Sequence, residues 1–269
     1  MELPGWAPAT IDYTRPSPAR VYDVHLGGFH NFAVDREAAD QVRRFMPELP
    51  LILRANRSFL RRAVLHLVEA GVRQFLDLGS GKPTVGNVHE VAQEVDPGCR
   101  VVYVDLDPVA VAHGREILAG NPAAVAVQGD LRQPDTIVAD EAVRGLLDFT
   151  QPLAVLMVAV LHFVPDDDDP VGIVNRYRKM MAPGSYLAIS HASLEGSGTD
   201  RASVATQEYT SRVADFYMRG RSQIAGFFDD FDLVDPGVVY LTEWRPELPE
   251  DVGEDPRWTS TFAGVARRR

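Results

Sequence analysis

One cysteine, Cys99, stands among 269 residues, so neither an internal disulfide nor a cysteine-based metal cluster can form. That suits a reducing compartment, and the cytoplasm is the expected location. Long apolar runs are also missing. The longest, Leu153 to Leu161, is about half of the ~18 residues that a membrane-spanning helix needs. The opening Met-Glu-Leu-Pro-Gly-Trp has neither the basic nor the apolar region of a secretory signal. Nor is there an excess of basic residues. Lys+Arg number 27 against 38 Asp+Glu, and the net charge of −11 disfavours phosphate backbones and anionic lipid as partners. Residues 1 to 70 depart from this balance with nine Arg against eight acids, which leaves room for a local basic site.

What is present, 45% hydrophobic and 24% charged residues, is ordinary for a globular chain. At ~150 residues per domain its length falls between one and two domains. From Gly71 onward, short β-rich runs alternate with amphipathic stretches, the pattern of a parallel sheet with crossover helices. Strands are expected at Gln74 to Leu78, Arg100 to Asp105, Ala123 to Gln128, Leu153 to Val160 and Ser185 to His191. Leu153 to Val160 is apolar at every position and belongs mid-sheet, covered on both faces. Pro108 opens a helix that ends at Gly120, and Asp169-Pro170 caps another that Pro183-Gly184 stops. Between Phe231 and Arg269 the runs VVYLTEW and TFAGVARR suggest a hairpin closing one sheet edge. Residues 1 to 54 read as a helical cap, with helices around Ala19 to Leu26 and Asp35 to Met46. A third helix, Ala55 to Ala70, opens an α/β domain over 55 to 269.

The stretch FLDLGSG, Phe75 to Gly81, runs from a strand into a Gly-x-Gly turn, where backbone amides can approach a ligand at the carboxyl end of a parallel strand. A phosphate-binding P-loop does not fit. Pro83 stands where Ser or Thr should bind magnesium, and Leu76 where the first Gly should be. A dinucleotide fingerprint lacks its third glycine at Thr84, so a nicotinamide-dependent oxidoreductase is the weaker alternative. The next strand ends in Asp105, followed by Leu106, and a carboxylate there can accept both hydrogen bonds of a ribose diol. The third ends QGDLR, with Asp130 and Leu131 on the same edge.

With DLGSG, YVDLD and QGDLR at three successive strand ends, residues 55 to 269 resemble the class I S-adenosylmethionine-dependent methyltransferases. A sharper resemblance lies in ARVYDVHLGGFHNFAVDR, residues 19 to 36, which is similar to the opening of a bacterial methyltransferase-like family with no assigned substrate. The resemblance implies a Rossmann-like, mostly parallel seven-stranded sheet sandwiched by helices. It also implies S-adenosyl-L-methionine as cofactor and S-adenosyl-L-homocysteine as product. Carried onto this chain, Asp77, Gly79, Ser80 and Gly81 cradle the methionine moiety, Asp105 with Leu106 binds the ribose, and Asp130 with Leu131 meets the adenine. Lys82-Pro83 departs from the usual continuation of that loop. The acceptor expected from the acidic surface is a small molecule, methylated at O or N. A non-catalytic cofactor-binding partner protein is the alternative of a different class.

Methyl transfer needs mainly alignment of an acceptor lone pair, so a base is optional. His162 and His191, after the fourth strand and at the end of the fifth, are the candidates; His162 reads first as a partly buried orienting residue beside Phe163 and second as a base. Tyr22, His25 and Asn31 crowd the Gly27-Gly28 segment as substrate or lid residues, although Asn31 and Asp35 read equally as helix caps. Arg20, Arg54, Arg57, Arg61 and Arg62 offer charge for an anionic substrate or the cofactor carboxylate. Asp166 to Asp169 reads as a solvated helix entrance, and no metal is expected. The helix-prone stretch Arg201 to Arg219, with Tyr209 and Phe216, should cover the substrate side of the sheet.

Overall fold

A computed structural model describes residues 12–82, 86–196 and 199–269; the opening residues, Pro83 and Thr84 lie outside the described residues. Three helices come first: α1 (Pro18–His25), α2 (Ala33–Phe45) and α3 (Leu49–Glu69). Then β1 (Gln74–Leu78), α4 (Val88–Val95), β2 (Arg100–Asp105), α5 (Pro108–Ile117) and β3 (Ala124–Gln128) follow in alternation. Next come α6 (Pro134–Ala139), α7 (Glu141–Leu146), β4 (Ala154–Val158), α8 (Pro170–Met180) and β5 (Tyr186–Ala192). The remainder is α9 (Thr199–Arg212), α10 (Arg221–Gly226), β6 (Phe231–Leu233), β7 (Val239–Tyr240) and β8 (Thr261–Arg268).

The caps explain several boundaries. Asp107 precedes Pro108 and accepts from the Val109 N–H at 2.8 Å, which starts α5; Asp169 does the same for the Gly172 N–H at 2.9 Å, which starts α8. In α4, Glu90 reaches back to the Gly86 and Asn87 N–H groups.

The strand order is β3-β2-β1-β4-β5-β8-β6, parallel from β3 through β5, with β8 antiparallel to β5 and β6 and β7 paired to β8. Side chains alternate between two covered faces, as the strand period requires. Phe75, Val101 and Leu156 pack with Phe59, Leu60 and Leu67 of α3 on one face. Leu76, Val102 and Met157 pack with Ile173 and Tyr177 of α8 on the other.

Among the described residues the sheet has eight strands rather than the expected seven, because FDL supplies a further short strand, β6. The expected C-terminal hairpin forms, β7 running antiparallel to β8 at this end of the sheet, and β8 itself lies one strand in, flanked by β5 and β6. Its first six residues are all buried, the pattern of a strand covered on both faces. The third helix begins at Leu49, with Pro50 in its first turn, and runs unbroken through residues 54 and 55. Its first turn thus sits with the cap and the remainder against the sheet. A small cluster of Val21, Ala38 and Ala39 with Tyr209 and Val213 seats the cap on α9.

Candidate functional site

Chain order reverses between β1 and β4, which opens a crevice at the carboxyl ends of the strands. A cavity of about 660 Å³ occupies it, floored by the strand ends and roofed by α1, α2 and the start of α3. Asp77, Gly79, Ser80, Gly81, Asp105, Leu106, Asp130 and Leu131 all line this one cavity.

Gly79 and Gly81 have φ of +66° and +62°, conformations that favour glycine. A Cβ on Gly79 would fall 2.1 Å from Val160 Cγ2, whereas the space beside Gly81 is open. The turn is therefore pressed against the fourth strand's loop on one side and clear for a ligand on the other. Asp105 fixes it: its Oδ2 accepts from the Gly81 N–H at 2.7 Å and its Oδ1 from the Asp107 N–H at 2.8 Å. Each oxygen keeps a lone pair for a further donor. Burial pushes Asp105 up to about 6 and Asp77 up to about 7, the Asp77 shift being opposed by Arg57 and reinforced by Asp105. Arg57 donates one N–H to Gly86 O at 2.9 Å, but its Nε is buried with no hydrogen-bond partner. An anion beside the glycine-rich turn would satisfy it. Asp130 is turned to Arg132, which binds it through Nε at 3.0 Å and Nη2 at 2.6 Å and reaches on to Asp168.

The cap is fastened to this edge by charge. Arg20 lies 3.4 Å from Asp35 and 3.5 Å from Asp107, and Ser17 donates to Asp107 as well. Lys82 reaches Asp23 of α1. Asn31 supports the same carboxylate by donating to Asp23 Oδ2 at 2.9 Å and to Gly28 O at 2.9 Å; it is absent from the cavity lining, so its role is to fix the turn. Tyr22 lines the cavity and donates to Leu53 O at 3.3 Å. Sequence reasoning missed Asn56, which donates to the Tyr22 hydroxyl at 3.2 Å and accepts from Ser190 at 2.6 Å. A lone polar residue between Ile52 and Phe59, on the buried face of α3, was the available signal. His25 lines the cavity too, and neither of its ring nitrogens has a hydrogen-bond partner.

The two candidate bases separate. His162 lines the cavity, with Phe216 tilted over it at 4.4 Å and Phe163 edge-on at 4.6 Å. Burial holds it well below the ordinary imidazole range, so it is uncharged at neutral pH. His191 is corrected: it is fully buried outside the cavity lining, its Nδ1 donates to Ala192 O at 2.8 Å, and its Nε2 accepts from Arg219 at 2.9 Å. With both nitrogens engaged it supports Arg219, which also binds Leu161 O, Val164 O and Asp166. Asp169 is a helix cap, and no metal-binding group of acids, histidines or cysteines occurs among the described residues.

A switch-point crevice, a Gly-x-Gly turn and acids at consecutive strand ends define a class I methyltransferase fold. The same fold occurs in the CurJ carbon methyltransferase, with a TM-score of 0.52 at 14% identity over 87% of this chain and 62% of that one. The chain belongs to the S-adenosyl methyltransferase family, whose model matches residues 4–269. It is similar to a DUF574 family protein from Streptomyces avermitilis, with 38% identity, 96% of this chain and 99% of that chain covered and a TM-score of 0.91. It is also similar to a protein of Thermobifida fusca described as a candidate methyltransferase, with 40% identity, 99% and 100% coverage and a TM-score of 0.92. No curated protein matches. The protein is thus an S-adenosylmethionine-dependent methyltransferase. The open face of Gly81, the free lone pairs of Asp105 and the unpartnered Arg57 Nε fit that cofactor.

Proposed function

We propose that the protein methylates a small-molecule acceptor at oxygen or nitrogen beneath its N-terminal cap. The observation that carries this reading is the single cavity lined both by the strand ends and by α1, α2 and α3. In this reading Gly79, Ser80, Gly81 and Arg57 hold the methionine end of the cofactor, with Asp77 beneath the turn. Asp105 accepts from the ribose hydroxyls beside Leu106, and Leu131 packs at the adenine. Asp130 acts there after sharing its carboxylate with Arg132. Bound S-adenosylmethionine supplies a methyl group on a sulfonium, which passes to an acceptor lone pair while the carbon–sulfur electron pair returns to sulfur. His162, uncharged, packs with Phe216 beside the acceptor and orients it, and the acceptor's proton leaves to water. Tyr22 and His25 face the acceptor from the cap. The uncombined Cys99 suits the cytoplasm, and no helix among the described residues is long and apolar enough to cross a membrane.

The test uses calorimetry and isotope. S-adenosylmethionine and S-adenosylhomocysteine should bind and NADH should not. With methyl-labelled cofactor and a cell extract, label should enter the small-molecule fraction. Label confined to protein or nucleic acid would overturn the acceptor assignment; binding of NADH alone would overturn the whole reading.

A further inference from the structure

The acceptor side of the cavity has a distinct chemistry. Val21, Val42, Met46, Leu49 and Ile52 line it from α1 to α3, and none carries a charge. Rings line the same cavity. Phe216 lies 5.2 Å from Tyr209 and 5.4 Å from Phe163, so the wall is a lattice of edge-to-face aromatics. Such a wall favours a flat apolar guest.

Three of the four cationic side chains of the lining are tied up in ion pairs, and the fourth, Arg57, is assigned above to the cofactor. Lys82 is bound to Asp23, Arg20 to Asp35 and Asp107, and Arg132 to Asp130 and Asp168. Arg57 stands by Asp77 at the glycine-rich turn. An anionic acceptor seated among the apolar residues would be left without a counter-charge, at a heavy desolvation cost.

Among the polar groups of the cap side, Tyr22 and Asn56 are hydrogen-bonded within the chain, whereas His25 is not. His25 is 6% exposed, lines the cavity, and has neither ring nitrogen hydrogen-bonded. Buried polar groups in native proteins nearly always have partners, so an imidazole with two orphaned nitrogens points to one supplied from outside the chain. The charged groups nearest in effect, Arg43 and Asp40 of α2, oppose each other, and burial dominates, so the ring is neutral. A neutral imidazole offers one donor and one acceptor.

Resting on the methyl-transfer reading above, we propose that the acceptor is an uncharged, predominantly aromatic molecule bearing a hydroxyl, held by a hydrogen bond to the His25 ring. His25 is a specificity residue here. The cap is fastened at Asp107 and Lys82, so a compact guest fits under it and a polymer chain does not.

The experiment is titration of the protein, saturated with S-adenosylhomocysteine, against naphthol, naphthalene and naphthoate. Naphthol should bind about fivefold tighter than naphthalene, the worth of one neutral hydrogen bond, and naphthoate at least about tenfold weaker than naphthol. In His25→Phe the affinities for naphthol and naphthalene should converge. In the unaltered protein, the labelled ring nitrogens of His25 should shift in NMR with naphthol and stay fixed with naphthalene, a readout that does not depend on the variant folding. Equal affinities for naphthol and naphthalene, a preference for naphthoate, or a naphthol advantage persisting in His25→Phe would overturn the proposal. Calorimetry with S-adenosylmethionine on the same sample separates the two levels. Cofactor binding without the naphthol preference rejects the acceptor class alone, whereas no cofactor binding rejects methyl transfer and this proposal with it.

Discussion

Lys82 Nζ lies 2.8 Å from Asp23 Oδ1, an ion pair exposed by only 8% and 0% that joins the glycine-rich turn to the first helix of the cap. Lys82→Met removes the cation and leaves Asp23 with only the His30 N–H and the Asn31 amide as donors. A buried pair broken on one side costs about 3–5 kcal/mol, and urea unfolding should record a loss at the lower end of that range. Adding Asp23→Asn to Lys82→Met should recover part of it, since no unpaired carboxylate then remains.

Cofactor affinity should depend on pH through Asp105. Its carboxyl titrates at about 6 because burial disfavours the charge, and the protonated form loses an acceptor site. Affinity for S-adenosylmethionine should therefore be at its plateau above pH 6 and fall as pH drops through about 6. Asp105→Asn should bind about tenfold more weakly, with the step at about pH 6 gone. Calorimetry across the pH range checks both.

Stability should respond to His25 in the acid range. Its imidazole is lowered from 6.5 to about 4, so between those values the unfolded chain binds the extra proton. The contribution is complete above pH 6.5 and is lost as pH falls through about 4. The unaltered protein should therefore lose stability relative to His25→Phe as pH falls from 6.5 to about 4, read by urea unfolding of both.

Gly79→Ala should cripple both fold and site. The new Cβ would meet Val160 Cγ2 at 2.1 Å on a backbone held at φ +66°. Soluble yield and cofactor binding are the measurements. A variant that stayed folded and bound the cofactor normally would contradict the close approach.

Phenylalanine at the two central histidines should give opposite results. His162→Phe keeps an aromatic against Phe216 and should lower turnover while leaving cofactor affinity unchanged. His191→Phe removes the acceptor for Arg219, itself only 4% exposed, and should lower the melting temperature. A turnover defect in His191→Phe without loss of stability would restore it as a reacting group.

The sheet was largely legible because its strands are short apolar runs, the first three closed by Asp or Gly, and the edge at Asp77, Asp105 and Asp130 follows from those same runs. Ladder position was not. TFAGVARR carries no mark that separates an edge from an interior strand until its neighbours are known. The fastening of the cap was equally hidden, since Lys82 with Asp23 and Ser17 with Asp107 are pairs between distant segments that leave no periodic trace. His191 could have been placed. It shares the parity of Leu187 and Ile189, whose face is packed by helices, and it stacks on Phe227 at 5.9 Å.

The interior position of β8 has a kinetic consequence. Strand β5 is buried on both faces, yet one of its two edges is satisfied only by a partner far downstream in the chain. Until β8 arrives, that edge is an open row of peptide groups on an apolar ribbon, able to recruit a second molecule. Closing so long a loop is slow, so refolding yield should fall steeply as protein concentration rises.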